Sequence, residues 1–350
     1  LSERIPVAVA GATGSVGQRF VSLLAEHPGF EVKALTASGR SAGRPYRESV
    51  RWMQSTPIPT SVADVVLGVT EPAAVAGCRI VFSALDGDVA GDAEIAFARA
   101  GHVVVSNARS HRMDPGVPLV VPEVNPDHVE LAKRQPYGNG ALLTNPNCST
   151  IGLVMALKPL VDAFGVEAVH VVTLQALSGA GIPGVPGMLT VDNVIPYIGG
   201  EEEKIETETR KILGRLADDG IRDADVRVSA ACNRVAVIDG HLECVSVKLK
   251  SKATSDDVLR AWREFVGEPQ RLGLPSAPDR VIHVLPGEAD PQPRLHRDLG
   301  RGMAASVGRL RPCPLLDFKF VTLSHNTLRG AAGGSILLAE LAAARGVPGR

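Results

Sequence analysis

One stretch near the start narrows the possible folds more than any other. An apolar run, Ile5 to Ala10, passes straight into Gly11-Ala12-Thr13-Gly14-Ser15-Val16-Gly17. Gln18 to Glu26 then carries Phe20, Val21, Leu23 and Leu24 at helical spacing. A strand, a glycine-rich turn and a helix in this order gather backbone N–H groups and a helix N-terminus around a phosphate. Glycines alone also make ordinary tight turns. With both flanking elements in place, Gly11, Thr13, Gly14, Ser15 and Val16 read as a dinucleotide-binding turn.

The alternation continues. Val32 to Thr36, Arg79 to Ala84 and His102 to Val105 read as strands, and Ala90 to Ala100 as a helix. This predicts an α/β chain built on a Rossmann-type, doubly wound parallel sheet. A protein that prefers NAD usually ends its second strand with an acid for the ribose hydroxyls. Here Ala37-Ser38-Gly39-Arg40-Ser41 follows instead, and Ser38, Arg40 and Ser41 suit a 2′-phosphate, which favours NADP(H). The competing reading of Arg40 is a solvated loop residue. Ser83 falls at a strand's C-terminal end, where ligands of such sheets bind. The loop Ser106-Asn107-Ala108-Arg109-Ser110-His111-Arg112 shares that rim, and can hold an anion or simply face water.

Near the middle, Ala141-Leu142-Leu143 leads into Thr144-Asn145-Pro146-Asn147-Cys148-Ser149-Thr150. Pro146 stops the sheet, and Ile151, Val154, Met155, Leu157, Leu160 and Val161 follow at helical spacing. Cys148 thus stands at a strand-to-helix turn, where helix-start dipoles favour the nucleophilic thiolate. The plainer reading is a small buried hydrophobe. Five scattered cysteines with no CxxC pair argue against a disulfide framework or structural zinc, and no metal site is expected. A net charge of −1 gives no footprint for nucleic acid or an acidic membrane. With no signal-like segment and no run near ~20 apolar residues, a cytoplasmic protein is expected.

Beyond Cys148 the character changes. Ala168 to Leu174 reads as a strand, followed by Gln175 and a glycine- and proline-rich loop to Gly187. Glu201 to Leu213 reads as a helix whose leading acids suit its dipole. Val226 to Ala231 and Leu242 to Leu249 read as strands, with Asp239-Gly240 as a hairpin-turn signal. Ser255 to Val266 is a helix without a full capping box at Ser255, and residues 286–301 are a surface excursion. Ala304 to Leu310 is the last strand expected, and Ile336 to Ala344 the last helix.

Five motifs occur in one order in a single family: Asn145 to Thr150; Gln175 with Ser178-Gly179-Ala180-Gly181; Asn193 to Lys204; Arg234 to His241; and Ser324 to Gly334. The chain resembles the aspartate-semialdehyde dehydrogenases, in the branch typical of archaea and fungi, over essentially its whole length. The resemblance implies a second, α+β catalytic and oligomerisation domain of the glyceraldehyde-3-phosphate-dehydrogenase-like kind. Domains are expected at residues 1–147, completed by 326–350, and at 148–325. Catalytic roles are implied for Cys148 (thioester nucleophile), Gln175 (acyl orientation) and His241 (acid/base). Arg234 and Glu201 would read the substrate's α-carboxylate and amino group, and Arg112, Lys204 and Asn147 its phosphate. Asn326, Ser178 and Gly179 would join the glycine turn on NADP. The implied substrate is an amino-acid acyl phosphate, and the implied assembly a homodimer or homotetramer.

Some positions depart from the family pattern: Ile182 replaces a frequent Tyr, Gly187 a common Ser, and His296 an acid. They leave the acyl substrate open. An acyl-CoA reductase such as malonyl-CoA reductase would use Cys148 and NADPH in the same way. N-acetyl-glutamyl-phosphate reductases share the chemistry within a different pattern. A catalytically silent NADP-sensing paralogue is the remaining alternative.

Overall fold

The computed structural model describes residues 4–347, so the outermost ends of the expected 1–147 and 326–350 segments lie outside the described residues. Its first sheet contains β1 (Ile5–Ala10), β2 (Phe30–Ala37), β3 (Gly68–Val69), β4 (Ile80–Ser83), β5 (Val103–Ser106) and β6 (Ala141–Thr144) in the order β3-β2-β1-β4-β5-β6. Every pairing is parallel. Residues Val7 to Ala10 are fully buried on both faces, which is why β1 reads as unbroken apolar sequence. Val7 and Val9 pack toward α1 (Ser15–Leu24) through Phe20 and Val21, while Ala8 and Ala10 share a cluster with Phe97 and Ala98 of α2 (Gly87–Arg99). The alternation follows from the two-residue period of a strand.

α3 (Cys148–Phe164) leaves the first sheet and belongs to the core of the second. That sheet has the order β10-β7-β11-β14-β13-β12. Its strands are β7 (Val166–Gln175), β10 (Arg227–Arg234), β11 (His241–Leu249), β12 (Ile282–Leu285), β13 (Ala305–Pro312) and β14 (Phe318–Ser324); a small hairpin, β8 (Arg215–Ala217) with β9 (Gly220–Arg222), stands apart. The sheet is mixed, with β10–β7 and β12–β13 parallel and β7–β11, β11–β14 and β13–β14 antiparallel. Val171, Val245, Val247 and Phe320 pack under α3, α4 (Glu201–Ile212) and α5 (Ser255–Glu264), whose contributions include Ile205, Ile212, Val258 and Trp262. The last helix, α6 (Gly333–Ala344), returns to the first sheet and packs Ile336, Leu338 and Leu341 beside Phe20. No helix of the described residues is long and apolar enough to cross a membrane.

Three local expectations are corrected. Asp239-Gly240 does not close a hairpin, because β7 lies between β10 and β11; the turn instead crosses the end of β7. Ala305–Pro312 is not the last strand: β14 is a further one, inserted between β11 and β13. It is buried along nearly its whole length, polar Thr322 and Ser324 included, so its sequence, FKFVTLS, shows neither a continuous apolar run nor a clean alternation to mark it. The cap of α5 sits one residue earlier than expected, at Thr254, where Asp257 completes a capping box.

Candidate active site

Where the sheets meet, a cleft of about 600 Å³ runs from the glycine turn to Cys148. Asn147 caps α3, its Oδ1 accepting the Ser149 N–H at 3.0 Å and the Thr150 N–H at 3.3 Å, so Cys148 is the first helical residue. The Cys148 Sγ lies 3.1 Å from Nε2 of the fully buried His241. Nδ1 of the same ring accepts the Ala176 N–H at 3.0 Å. A neutral ring in that position carries its proton on Nε2, facing sulfur. Burial, then the charges of Arg234 and His325, pull His241 down to about 3, so the ring is neutral at physiological pH.

The expected thiolate is not the resting form. Burial and the Glu201 charge push the Cys148 thiol up to about 12, against Arg112, Arg234 and the Ser149 N–H. Desolvation outweighs the helix-start dipoles before substrate arrives. A π-helical turn, Leu328–Ala332, presses on the same cysteine, and a β-carbon on Gly330 would stand 2.7 Å from the Cys148 Cβ.

One face of α4 organises the polar groups. Glu201 Oε1 pairs with Lys204 Nζ at 2.6 Å; its Oε2 accepts from Asn147 Nδ2 at 2.8 Å and Gln175 Nε2 at 3.4 Å. Burial would raise the Glu201 carboxyl, but Lys204, Asn147 and Gln175 together hold it below the usual carboxylate range. Two turns on from Glu201, Glu208 Oε1 pairs with Arg112 Nη1 at 3.0 Å and Oε2 accepts the Asn147 N–H at 2.6 Å. Lys211 Nζ then donates to the carbonyls of Arg112, Asp114 and Val117, tying down the loop that carries Arg112. Both cations expected at a phosphate site are therefore already paired with carboxylates.

Parallel pairing of β7 with β10 places Gln175 beside Arg234. Arg234 Nη1 donates to the Ala176 carbonyl at 2.6 Å and has no carboxylate partner among the described residues. Gly179 leaves room here, since a β-carbon would lie 3.1 Å from Arg234 Nη1 and 3.3 Å from His241 Cε1. Asn326 joins the two sides: its Oδ1 accepts the Gly240 N–H and its Nδ2 donates to Ser178 Oγ, both at 2.8 Å.

The glycine turn fits a dinucleotide. Gly14 caps α1 with no side-chain hydrogen bond, leaving its opening N–H groups for a ligand, and Gly14, Ser15 and Val16 line the cleft. Gly11, at φ +77°, lies so close to Ala84 that a β-carbon would meet its carbonyl oxygen at 2.6 Å. Thr13 contributes its carbonyl to Gln18 Nε2. Ser38 and Arg40 stand exposed just past β2, Ser41 half-buried, and Arg40 makes no ion pair among the described residues. Ser83 is differently placed: its hydroxyl is fully buried and donated to Glu94 at 2.6 Å, so it faces away from the cleft.

Glu208, Lys211 and Gly330 were not anticipated. Residues 201, 204, 208 and 211 follow one helical face, a spacing that could have exposed the charged stripe. For Gly330 the only signal was a glycine run before a helix.

An α/β nucleotide-binding sheet, joined to a mixed sheet by a helix whose first residue is a cysteine against a buried histidine, defines a thiol-dependent dehydrogenase. The chain matches two family models, described as semialdehyde dehydrogenase, NAD binding domain, over residues 6–132, and semialdehyde dehydrogenase, dimerisation domain, over residues 157–329. It is similar to the aspartate-semialdehyde dehydrogenase of Methanothermobacter thermautotrophicus, with 50% identity over 96% of this chain and 98% of that one. The Schizosaccharomyces pombe enzyme of the same name is 49% identical over 97% and 98%. A crystal structure of aspartate semialdehyde dehydrogenase with NADP from Candida albicans superposes with a TM-score of 0.92 at 46% identity, over 98% of this chain and 99% of that one. The chain belongs to the aspartate-semialdehyde dehydrogenase family.

Proposed function

We propose that this chain reduces L-aspartyl 4-phosphate to L-aspartate 4-semialdehyde with NADPH, through a thioester on Cys148. The observation that carries this reading is the 3.1 Å Sγ–Nε2 contact, set in a cleft that also presents Arg234 and Glu201. A guanidinium and a carboxylate lining one cleft with the cysteine suit an α-carboxylate and an α-ammonium.

The chemistry follows from the placement. Cys148 sulfur attacks the acyl carbon and phosphate leaves, its charge met by Arg112 and Lys204. Gln175 orients the acyl group. NADPH supplies hydride to the resulting thioester carbon when bound along the glycine turn. For sulfur to attack, His241 gives up its Ala176 contact and moves its proton to Nδ1, so that the bared Nε2 takes the thiol proton; the imidazolium returns that proton when the thiohemiacetal forms and collapses. Collapse of the thiohemiacetal then returns the free thiol and the aldehyde.

We assign residues 1–147 and 326–350 to NADP binding and 148–325 to catalysis and self-association. The assembly is a homodimer or homotetramer, working in the cytoplasm. Arg40, with Ser38 and Ser41, holds the 2′-phosphate. Accordingly Arg40→Ala should raise the KM for NADP and leave that for NAD unchanged; equal effects would remove this assignment.

The decisive assay follows NADPH formation from aspartate semialdehyde, inorganic phosphate and NADP, with NADPH loss on malonyl-CoA in parallel. Phosphate-dependent turnover of the semialdehyde alone is expected. Turnover of malonyl-CoA alone would overturn the substrate assignment.

A further inference from the structure

In the cleft, Glu201 has no free oxygen. Oε1 is held by Lys204 at 2.6 Å, and Oε2 by Asn147 and Gln175. Lys204 is the more mobile of these partners, with 24% of its side chain exposed at the end of a flexible stem. Arg112 is fixed at both ends of its guanidinium, to Glu208 and to the Asn107 carbonyl. Lys204 is therefore the one phosphate-site cation able to change partner without dismantling buried structure.

We propose that Lys204 occupies the place on Glu201 that the substrate's ammonium takes, and that the arriving ammonium releases Lys204 to the phosphate. The inference rests on the reading of Glu201 and Lys204 given above and adds a coupling between their ligands. One carboxylate oxygen exchanges one ammonium for another, so little charge pairing is lost. The freed lysine gains the phosphate as its counter-ion in place of the carboxylate that holds it at 2.6 Å. An acyl phosphate lacking the α-ammonium leaves the lysine locked, which makes the exchange a specificity device as well. By linkage, phosphate and ammonium each tighten the other by the same factor.

The test is calorimetric titration of inorganic phosphate into the NADP-loaded protein, alone and with saturating L-2-aminobutyrate or butyrate. The expected result is phosphate binding at least about fivefold tighter with aminobutyrate, the lower end of typical couplings, and no change with butyrate. Glu201→Gln should bind phosphate at the tightened level without aminobutyrate and show no further gain. Lys204→Ala offers a second variant, which should bind aminobutyrate more tightly than wild type in the absence of phosphate. Aminobutyrate that binds wild type without altering phosphate affinity overturns the exchange alone. Weaker aminobutyrate binding in Lys204→Ala overturns it too. Failure of aminobutyrate to bind at all removes the amino-acid reading on which it rests.

Discussion

Alanine at Gly330 tests whether the π-helical turn fixes the position of the nucleophile. The added β-carbon would lie 2.7 Å from the Cys148 Cβ and 3.1 Å from its Cα. Carbon atoms in contact settle near ~3.5–4.0 Å, so one side must retreat by roughly 1 Å. Neither contacted atom belongs to a side chain that can swing away. The π-turn is itself tied down, with the Gly330 N–H donating to the His325 carbonyl at 2.9 Å. Arg329 beside it forms a buried pair with Glu123, at 2.6 Å between Nη2 and Oε2. The start of α3 therefore moves, and the Sγ–Nε2 contact of 3.1 Å lengthens with it. Overpacking of this kind costs about 1–3 kcal/mol of stability. A misplacement near 1 Å lowers turnover by about 10²-fold, or ~2.7 kcal/mol of transition-state stabilisation. Steady-state kinetics on the folded variant should show that loss in kcat, with the KM for NADP nearly unchanged. A kcat within about threefold of wild type would refute the reasoning, because Cys148 would then tolerate the shift.

Other outcomes follow from the buried charges. Glu208→Gln leaves Arg112 without its carboxylate partner in a site where Glu208 is only 1% exposed. Breaking such a pair costs about 3–5 kcal/mol, so the variant should melt earlier in a thermal scan, and an unchanged melting temperature would contradict this. Iodoacetamide should alkylate Cys148 about tenfold faster per pH unit from about pH 6 to about pH 9, with no plateau, because burial holds the thiol up to about 12. A plateau below about pH 8 would instead reveal a resting thiolate. Glu243 is buried with both carboxylate oxygens unpartnered among the described residues, and desolvation raises its carboxyl well above the ordinary 4.5. The folded protein then holds a proton that the unfolded chain releases, so this contribution is complete below 4.5 and is lost as pH rises toward the folded value. Glu243→Gln should remove that slope and melt higher than wild type at neutral pH, as followed by thermal scans across pH.

The parts of the fold legible in the sequence were those with a local physical signature. The β1–α1 turn declares itself because its glycines stand where backbone must approach backbone, as Gly11 does at Ala84. The break at Pro146 and the apolar spacing after it located α3, and with it Cys148. Relations across the chain were less visible. Whether β10 and β11 pair depends on β7 lying between them, which no local turn signal encodes. Ser83 was placed at the correct rim, yet its side chain turns inward because Glu94, on α2, supplies a buried acceptor. The acids at the start of α4 look like a solvated helix end; in three dimensions Glu201 there, and Glu208 two turns further on, neutralise the cations that the sequence suggested were free. The protonation state of Cys148 was misjudged for the same reason. Helix-start dipoles can be read from sequence, whereas burial and the Glu201 charge belong to the assembled site.

The central claim is that Cys148 carries the acyl group as a thioester. Mixing the protein with aspartate semialdehyde and NADP in the absence of phosphate isolates that step. The account predicts a rapid burst of NADPH, one per active site, and an aspartyl adduct on Cys148 in the mass spectrum of the quenched protein, discharged when phosphate is added. No burst, or an adduct on any other residue, would contradict it.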